Sequence, residues 1–373
     1  LIKKNNNYIY FRKYNFYLFL LFYFVIIISS ILSDFILLSG KSSIFYIRFG
    51  LFYVAVCFFL EKQNQQNNKY IYFLFFFIIL LLIDATFQTI TEKLTNDGFN
   101  LLGQPIQHPS RASSFFGDEL VLGSYTVRIL PIIIALIFLY NIKQLIKLVP
   151  LLWITSFMII ILSSEKTAMG LMLISSLIYI FFCNYSIIKK FSFLTILIIL
   201  IFSIFSTFPN TKSRLYTEAI KNTHHGKYLF SRVHHSHFIT AYNMYKEKPI
   251  IGHGPKVFRK KCNNPKYAFD VFSCSTHPHN IYLQLLAETG LIGFLIIFGL
   301  WLYSCFRFIK FIFTKDNKSN IFQFQIFANL GIFLNLFPIA TSGNFFNNWI
   351  SYIYFLSFAL FMYSIKISNS KNE

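Results

Sequence analysis

Apolar residues run through this chain in blocks near 20 residues long, separated by short polar or basic segments; Phe191–Phe208 and Ile281–Leu302 are examples. A helix of about 20 residues, rising 1.5 Å per residue, crosses the roughly 30 Å apolar core of a bilayer. The pattern predicts ten spans, at 14–39, 44–60, 70–87, 120–139, 148–164, 167–185, 191–208, 280–303, 321–341 and 345–365. The expected fold is therefore an all-α, polytopic transmembrane helical bundle. Its expected organisation is N-terminal helices over 1–208, with an outer loop at 88–119, then one large loop with short helices over 209–279, then C-terminal helices over 280–373. The first span follows a basic stretch, is too long for a signal peptide and lacks a clear cleavage site, so it reads as an anchor.

Composition agrees with the pattern. Hydrophobic residues make up 55% of the chain and charged residues only 13%, against about 25% in an ordinary soluble domain. The formal net charge of +20 would suit a nucleic-acid partner. However, the charges flank spans or fill one loop, and no soluble nucleic-acid module is visible. Their placement orients the chain instead. With the N-terminus inside, the cytoplasmic segments carry 16 Lys or Arg, whereas the three short outer turns carry only Lys41 and Lys166. Basic residues stay with the cytoplasm in short loops, and long loops translocate regardless of charge. Segments 88–119 and 209–279 then lie outside, and all nine histidines fall within them: His108, His224, His225, His234, His235, His237, His253, His277 and His279.

The large loop holds 12 Lys or Arg against Glu218, Glu247 and Asp270. Such a balance attracts anionic headgroups of membrane lipids, or it builds a site for a multiply charged anion such as pyrophosphate. Arginine favours the second reading, because its fork grips phosphate oxygens in pairs. Arg214, Arg232 and Arg259 lie in this loop, and Arg111 lies in the other. Residues 230–248 read as an amphipathic helix that ends at Pro249, suited to lie at a membrane surface. Cys262 and Cys274 enclose 11 residues on the outer, oxidising side, and a disulfide between them is expected.

At the far end of the loop, His277-Pro278-His279-Asn280 precedes the eighth span. Pro278 stops any preceding helix and Asn280 is a natural N-cap. Asn280, Gln284 and Glu288 follow at i, i+4 and i+8 and form a polar stripe on one face. A carboxylate within a span is a functional candidate by default. A helix N-terminus disfavours imidazolium, so a neutral His279 could serve as general base. Gly290 and Gly293 read as packing positions that admit a neighbouring helix. Metal ligation competes for the histidines, since His234 and His237 sit three apart and His277 and His279 add two more. No recognised zinc spacing is present.

Four stretches together resemble the O-antigen ligases and the related O-antigen polymerases. They are Arg111 to Leu120, Ser163 to Ala168, Ser231-Arg232 through Gly254, and His279-Asn280 through Gly293. The resemblance covers most of residues 105–300. It implies a metal-independent, inverting glycosyltransferase of the bacterial inner membrane, without cofactor and with the large loop in the periplasm. The donor it implies is a glycan on undecaprenyl pyrophosphate. The implied acceptor is a sugar hydroxyl of lipid A–core for a ligase, or of a second lipid-linked glycan for a polymerase. It also implies that His279 activates or positions the acceptor and that arginines hold the pyrophosphate. Arg111, Lys166, Arg214 and Arg232 are the candidates for that role, with Glu288 grouped as catalytic beside His279 and with His277, Asn280 and Gln284 in support. Lys166 stands where the family usually has arginine, so a point charge replaces a fork there. The family often has more than ten spans, in keeping with a start upstream of Leu1.

Two other classes compete. A transporter or flippase for lipid-linked sugars would call for ionisable residues at mid-membrane and related halves. Arg48 and Arg128 are the main basic residues within spans, and no internal repeat stands out. A catalytically inert assembly partner is the other. Concentration of polar chemistry on one outer face favours the enzyme.

Overall fold

A computed structural model describes residues 16–62, 68–95, 97–106, 108–218, 231–314 and 319–369. Its longer helices are α1 (Phe16–Ile31), α2 (Ile36–Ile44), α3 (Ile47–Lys62), α4 (Lys69–Thr95), α5 (Leu122–Leu139), α6 (Lys143–Leu162), α7 (Lys166–Phe182), α8 (Ile187–Thr207), α9 (Arg232–Glu247), α10 (Ile281–Ile312), α11 (Asn320–Asn335) and α12 (Asn348–Asn369). Among the described residues there is no β-strand, only an isolated Phe99–Pro105 bridge. The fold is all-α, as the apolar runs predict. Seven helical stretches among the described residues are long and apolar enough to cross a membrane, and α1 and α7 are shorter apolar helices. The chain is a multi-pass membrane protein.

The chain divides into two compact units. The first comprises the described residues within Leu1–Gln63, His225–Lys310 and Asn335–Glu373. Its aromatic core centres on Tyr46, 1% exposed, with Phe49, Phe346 and Phe355 rings 5.0, 5.6 and 5.9 Å away. Edge-on and tilted contacts at such spacings exploit the positive ring edge against the negative face. The expected single span 14–39 is broken here: α1 stops at Ile31, Ser33 and Asp34 form a turn, and Lys41 lies within α2. Polar chemistry makes the break. Ser30 Oγ bonds Ser39 Oγ at 2.7 Å and Ser43 Oγ at 2.5 Å, tying α1 to α2. Asp34 meets Lys248 at 3.3 Å and also pairs with Lys261. These lysines hold its carboxyl below the usual range, with the Lys261 hydrogen bond the main cause.

The second unit comprises the described residues within Asn64–His224 and Phe311–Leu334. Trp153 anchors it, fully buried, stacked 4.4 Å from Tyr179 and donating to Ser176 Oγ at 3.0 Å. The third span, expected to end at 87, continues as α4 to Thr95. The extra turns are useful: Gln88 Oε1 accepts from Ser113 N and Ser114 N, both at 2.8 Å, and Asp84 accepts from Leu101 N at 2.7 Å. The segment after α4 is thereby folded down onto the helix end.

Two further boundaries differ from expectation. The ninth span, expected at 321–341, ends as α11 at Asn335, and α12 starts only at Asn348. Pro338 has no amide hydrogen and disfavours helix before it, so 336–347 is left non-helical and free to accept bonds from elsewhere in the first unit. The eighth span runs far longer, to Ile312, and loses helical geometry at Gly290 (φ +67°).

Candidate functional site

Within the first unit, α10 begins as its sequence predicts. Asn280 Oδ1 accepts from Tyr282 N at 3.0 Å and Leu283 N at 3.1 Å, which makes Asn280 the N-cap. Its amide donates to Pro338 O at 2.7 Å. Gln284 donates to Glu288 Oε2 at 2.9 Å and Asn344 Oδ1 at 3.0 Å, while its oxygen accepts from Phe345 N at 2.9 Å. Glu288 is fully buried. Its other oxygen takes the Phe258 amide at 3.0 Å, and the Lys256 amide also donates to it. The polar stripe is thus a brace that binds α10 to segments 256–258 and 338–346. Sequence reasoning missed both partners, because nothing local marks a backbone amide as the partner of a side chain some 30 or 60 residues away.

The break at Gly290 has its own accounting. Carbonyls of Ala287 and Glu288, released from the helix, accept from His253 N at 3.0 Å and Gly254 N at 2.8 Å; Ser29 Oγ adds a 2.7 Å bond to Glu288 O. Leu291 N donates to Pro249 O at 2.8 Å. A Cβ on Gly290 would fall 2.3 Å from the Ile250 carbonyl carbon. The expectation of a neighbouring helix at Gly290 is therefore replaced by a turn, 249–254, seated in the gap. Gly293 meets its own helix's Thr289 side chain.

Above this brace sit four imidazoles. The His279 ring lies 4.1 Å from His277 and 5.3 Å from both His234 and His237, centroid to centroid. His234 and His237 share a face of α9, which starts at an N-cap, Ser231, that bonds His234 N at 3.3 Å. The i, i+3 spacing of that pair was legible; its meeting with His277 and His279 was not. His279 has φ +60°, a left-handed conformation costly for a residue with a Cβ and characteristic of functional sites. Its Nε2 lies 3.2 Å from Ser275 Oγ. His277 Nε2 donates to Ser342 O at 3.1 Å, so its Nδ1 is the acceptor, 2.9 Å from Thr276 Oγ1. Burial, then the neighbouring imidazoles, push His279 down to about 3. Burial, with help from Arg259, pushes His277 down to about 4. Both rings are neutral at physiological pH. Among the described residues no group of three or more His, Cys, Asp or Glu is arranged to hold a metal ion.

The loop carries a staple of its own. Cys262 and Cys274 are disulfide-bonded, with Cα atoms 4.8 Å apart. Cys262 packs with Ala241, Met244, Phe258, Tyr267 and Ala287. His253 donates from Nε2 to Met244 O at 2.9 Å and accepts from Lys261 at 3.0 Å, a wholly structural role. Arg232 opens α9, 3.4 Å from Asp270 and over the Phe272 ring at 5.1 Å. His224 and His225 lie outside the described residues.

The second unit brings together Arg111 and Arg214. Arg214 Nε donates to Ser164 O at 3.2 Å, and Ser164 Oγ donates to Ser110 O at 2.9 Å. Arg111 has a buried Nε with no hydrogen-bond partner, and burial, then Arg214, lowers its pKa. Glu165 accepts from Gly123 N at 2.6 Å and Ser124 Oγ at 2.6 Å, capping α5. Lys166 instead turns to Glu218 at 3.1 Å in an exposed pair. Ser110 and Ser164, like His279 and Lys256 of the first unit, have left-handed backbones. Strain thus collects beside the basic and imidazole groups named from sequence.

Residues 150–298 match the family model described as O-Antigen ligase. No curated protein matches the chain. The matched region contains Lys166, Arg214, Arg232, both cysteines of the disulfide, and the whole seam from His277 to Glu288. The match supports transfer of lipid-linked glycans in the membrane by an O-antigen ligase or polymerase type of enzyme. Over residues 150–298 this multi-pass protein is thus similar to the O-antigen ligase family.

Proposed function

We propose that this protein is a ligase of the bacterial inner membrane. It transfers a glycan from undecaprenyl pyrophosphate to a sugar hydroxyl of lipid A–core on the periplasmic face, with inversion and without a metal. The observation that carries this reading is His279, held in a left-handed backbone among three other imidazoles at the seam of loop and span. A base that stays unprotonated can take a hydroxyl proton. The acceptor oxygen then attacks the anomeric carbon as its proton passes to the imidazole. The bond from that carbon to the pyrophosphate oxygen breaks, and undecaprenyl pyrophosphate leaves with the electron pair.

Arg232, in the same unit as His279, is the candidate to hold that leaving group, and Arg111, Lys166 and Arg214 are the phosphate-binding candidates of the second unit. Of those three, Arg111 fits best, since its buried Nε has no protein partner. Lys166 and Arg232 would exchange Glu218 and Asp270 for phosphate oxygens. Glu288, sealed beneath the seam, acts as a positioning residue through Gln284 and Phe258. That role is narrower than the catalytic one the resemblance implies for it beside His279. His279→Ala is expected to abolish transfer, a loss on the order of a hundredfold or more for a missing general base, while the protein still inserts. Full activity in that variant would sink the mechanism. A lipopolysaccharide gel of a deletion strain tests the acceptor: loss of all O-chain from core supports the ligase, whereas a single-repeat band overturns it in favour of a polymerase.

A further inference from the structure

A second basic group in the first unit takes no part in the roles above. Arg259 and Arg48 both bear on Lys256, which is pushed below its ordinary pKa by burial first and then by Arg259 and Arg48, against the opposing pull of Glu288. Lys256 holds a left-handed backbone, φ +63°. Arg48 opens α3 and contacts Asn348 and the Phe49 ring rather than a carboxylate. Arg259 has a buried Nε with no partner. One acid faces them, Glu288, and its oxygens are already taken by the amides of Phe258 and Lys256 and by Gln284. Arg259 also bears on His277, whose ring touches that of His279. A buried guanidinium donor without an acceptor is costly, and it becomes favourable when an anion supplies the missing oxygen.

We propose that Lys256 and Arg259, with Arg48 beside them, form an anion subsite next to His277 and His279 that takes a phosphate group carried by the acceptor glycan. The assignment to acceptor rests on the proposed function, because a group next to the base is met by the nucleophile's own sugar. The subsite itself does not rest on it. An anion there would also offset the repulsion that Arg259 and Arg48 exert on Lys256 and stabilise the loop end that carries Phe258.

The test uses the full chain in lipid nanodiscs. Inorganic phosphate is titrated into wild type, Arg259→Gln, Arg259→Lys and Arg111→Gln, with thermal unfolding as the control for folding. Phosphate binding about tenfold weaker in Arg259→Gln, as expected for one lost charge-assisted contact, with partial recovery in Arg259→Lys, supports the subsite. Equal binding in Arg259→Gln and wild type overturns it. Transfer kinetics then separate the sources: a raised acceptor KM with donor KM unchanged supports the acceptor, and a raised donor KM overturns that assignment. If wild type transfers no glycan yet loses phosphate binding on Arg259→Gln, the proposed function fails and the subsite stands.

Discussion

Buried polar groups are treated in two opposite ways in this protein. Along the first turns of α10, Asn280, Gln284 and Glu288 have the hydrogen-bonding atoms of their side chains matched to named partners. At Arg111 and Arg259 the guanidinium Nε is buried and unmatched. A satisfied network rigidifies and specifies one arrangement, whereas an unsatisfied buried donor is a standing cost that invites a ligand. The first pattern is scaffold. The second is where the proposed anions would bind.

Substitutions can break that contrast directly. The largest effect is expected from Glu288→Ala, which strands donors from Phe258, Lys256 and Gln284. At about 1–3 kcal/mol for each unmatched buried donor, the loss is about 4 kcal/mol of stability, read as a large drop in thermal midpoint in nanodiscs. A midpoint near wild type would show that the brace is dispensable. Arg111→Gln should do the reverse: it removes a buried charge with an unmatched donor, so stability holds or rises while transfer falls about tenfold. A destabilised Arg111→Gln would place Arg111 with the scaffold instead.

A change of pH tests the imidazoles without mutation. His253 and His277 titrate near 4 and His279 near 3 when folded, against about 6.5 in an unfolded chain. The unfolded state therefore binds more protons between these values. The stabilisation is fully present above about pH 6.5 and is lost as pH falls through 4 to 3. The rate constant for transfer at low substrate should stay level from pH 6 to 8 and fall only in the acid. A fall centred near pH 6.5 would show that His279 titrates as an exposed imidazole does. The smallest effect is expected at Lys166→Ala. Its pair with Glu218 is exposed, at 38% and 51%, and such pairs contribute under about 1 kcal/mol. A stability change above that would show that the pair anchors the second unit.

Much of this was legible along the chain. Uninterrupted apolar runs announce spanning helices because a bilayer leaves no other way to satisfy the backbone. The histidine-bearing seam was legible because Pro278 and Asn280 act locally on a helix start. The i, i+4 stripe was legible as a stripe, though not as a brace. Its partners, Phe258, Asn344 and Phe345, are reached only when chain segments 30 to 60 residues apart close on one another. Boundaries failed where polar contacts overrode hydropathy. The serines at 30, 39 and 43 tie two helices where one span was expected. Gly290 breaks α10 because turn 249–254 takes up the freed carbonyls.

The sequence by itself thus determined that the chain spans a membrane through helices, that all its histidines gather in segments 88–119 and 209–279, and that a helix begins at Asn280. These follow from hydropathy, charge and capping, all of them local. Only the tertiary structure decided that four imidazoles share one site, that Glu288 supports the site from below, and that Arg111 and Arg259 are left with an unmatched donor. Whether a polar atom is satisfied depends on every segment that packs around it, and no local pattern carries that information.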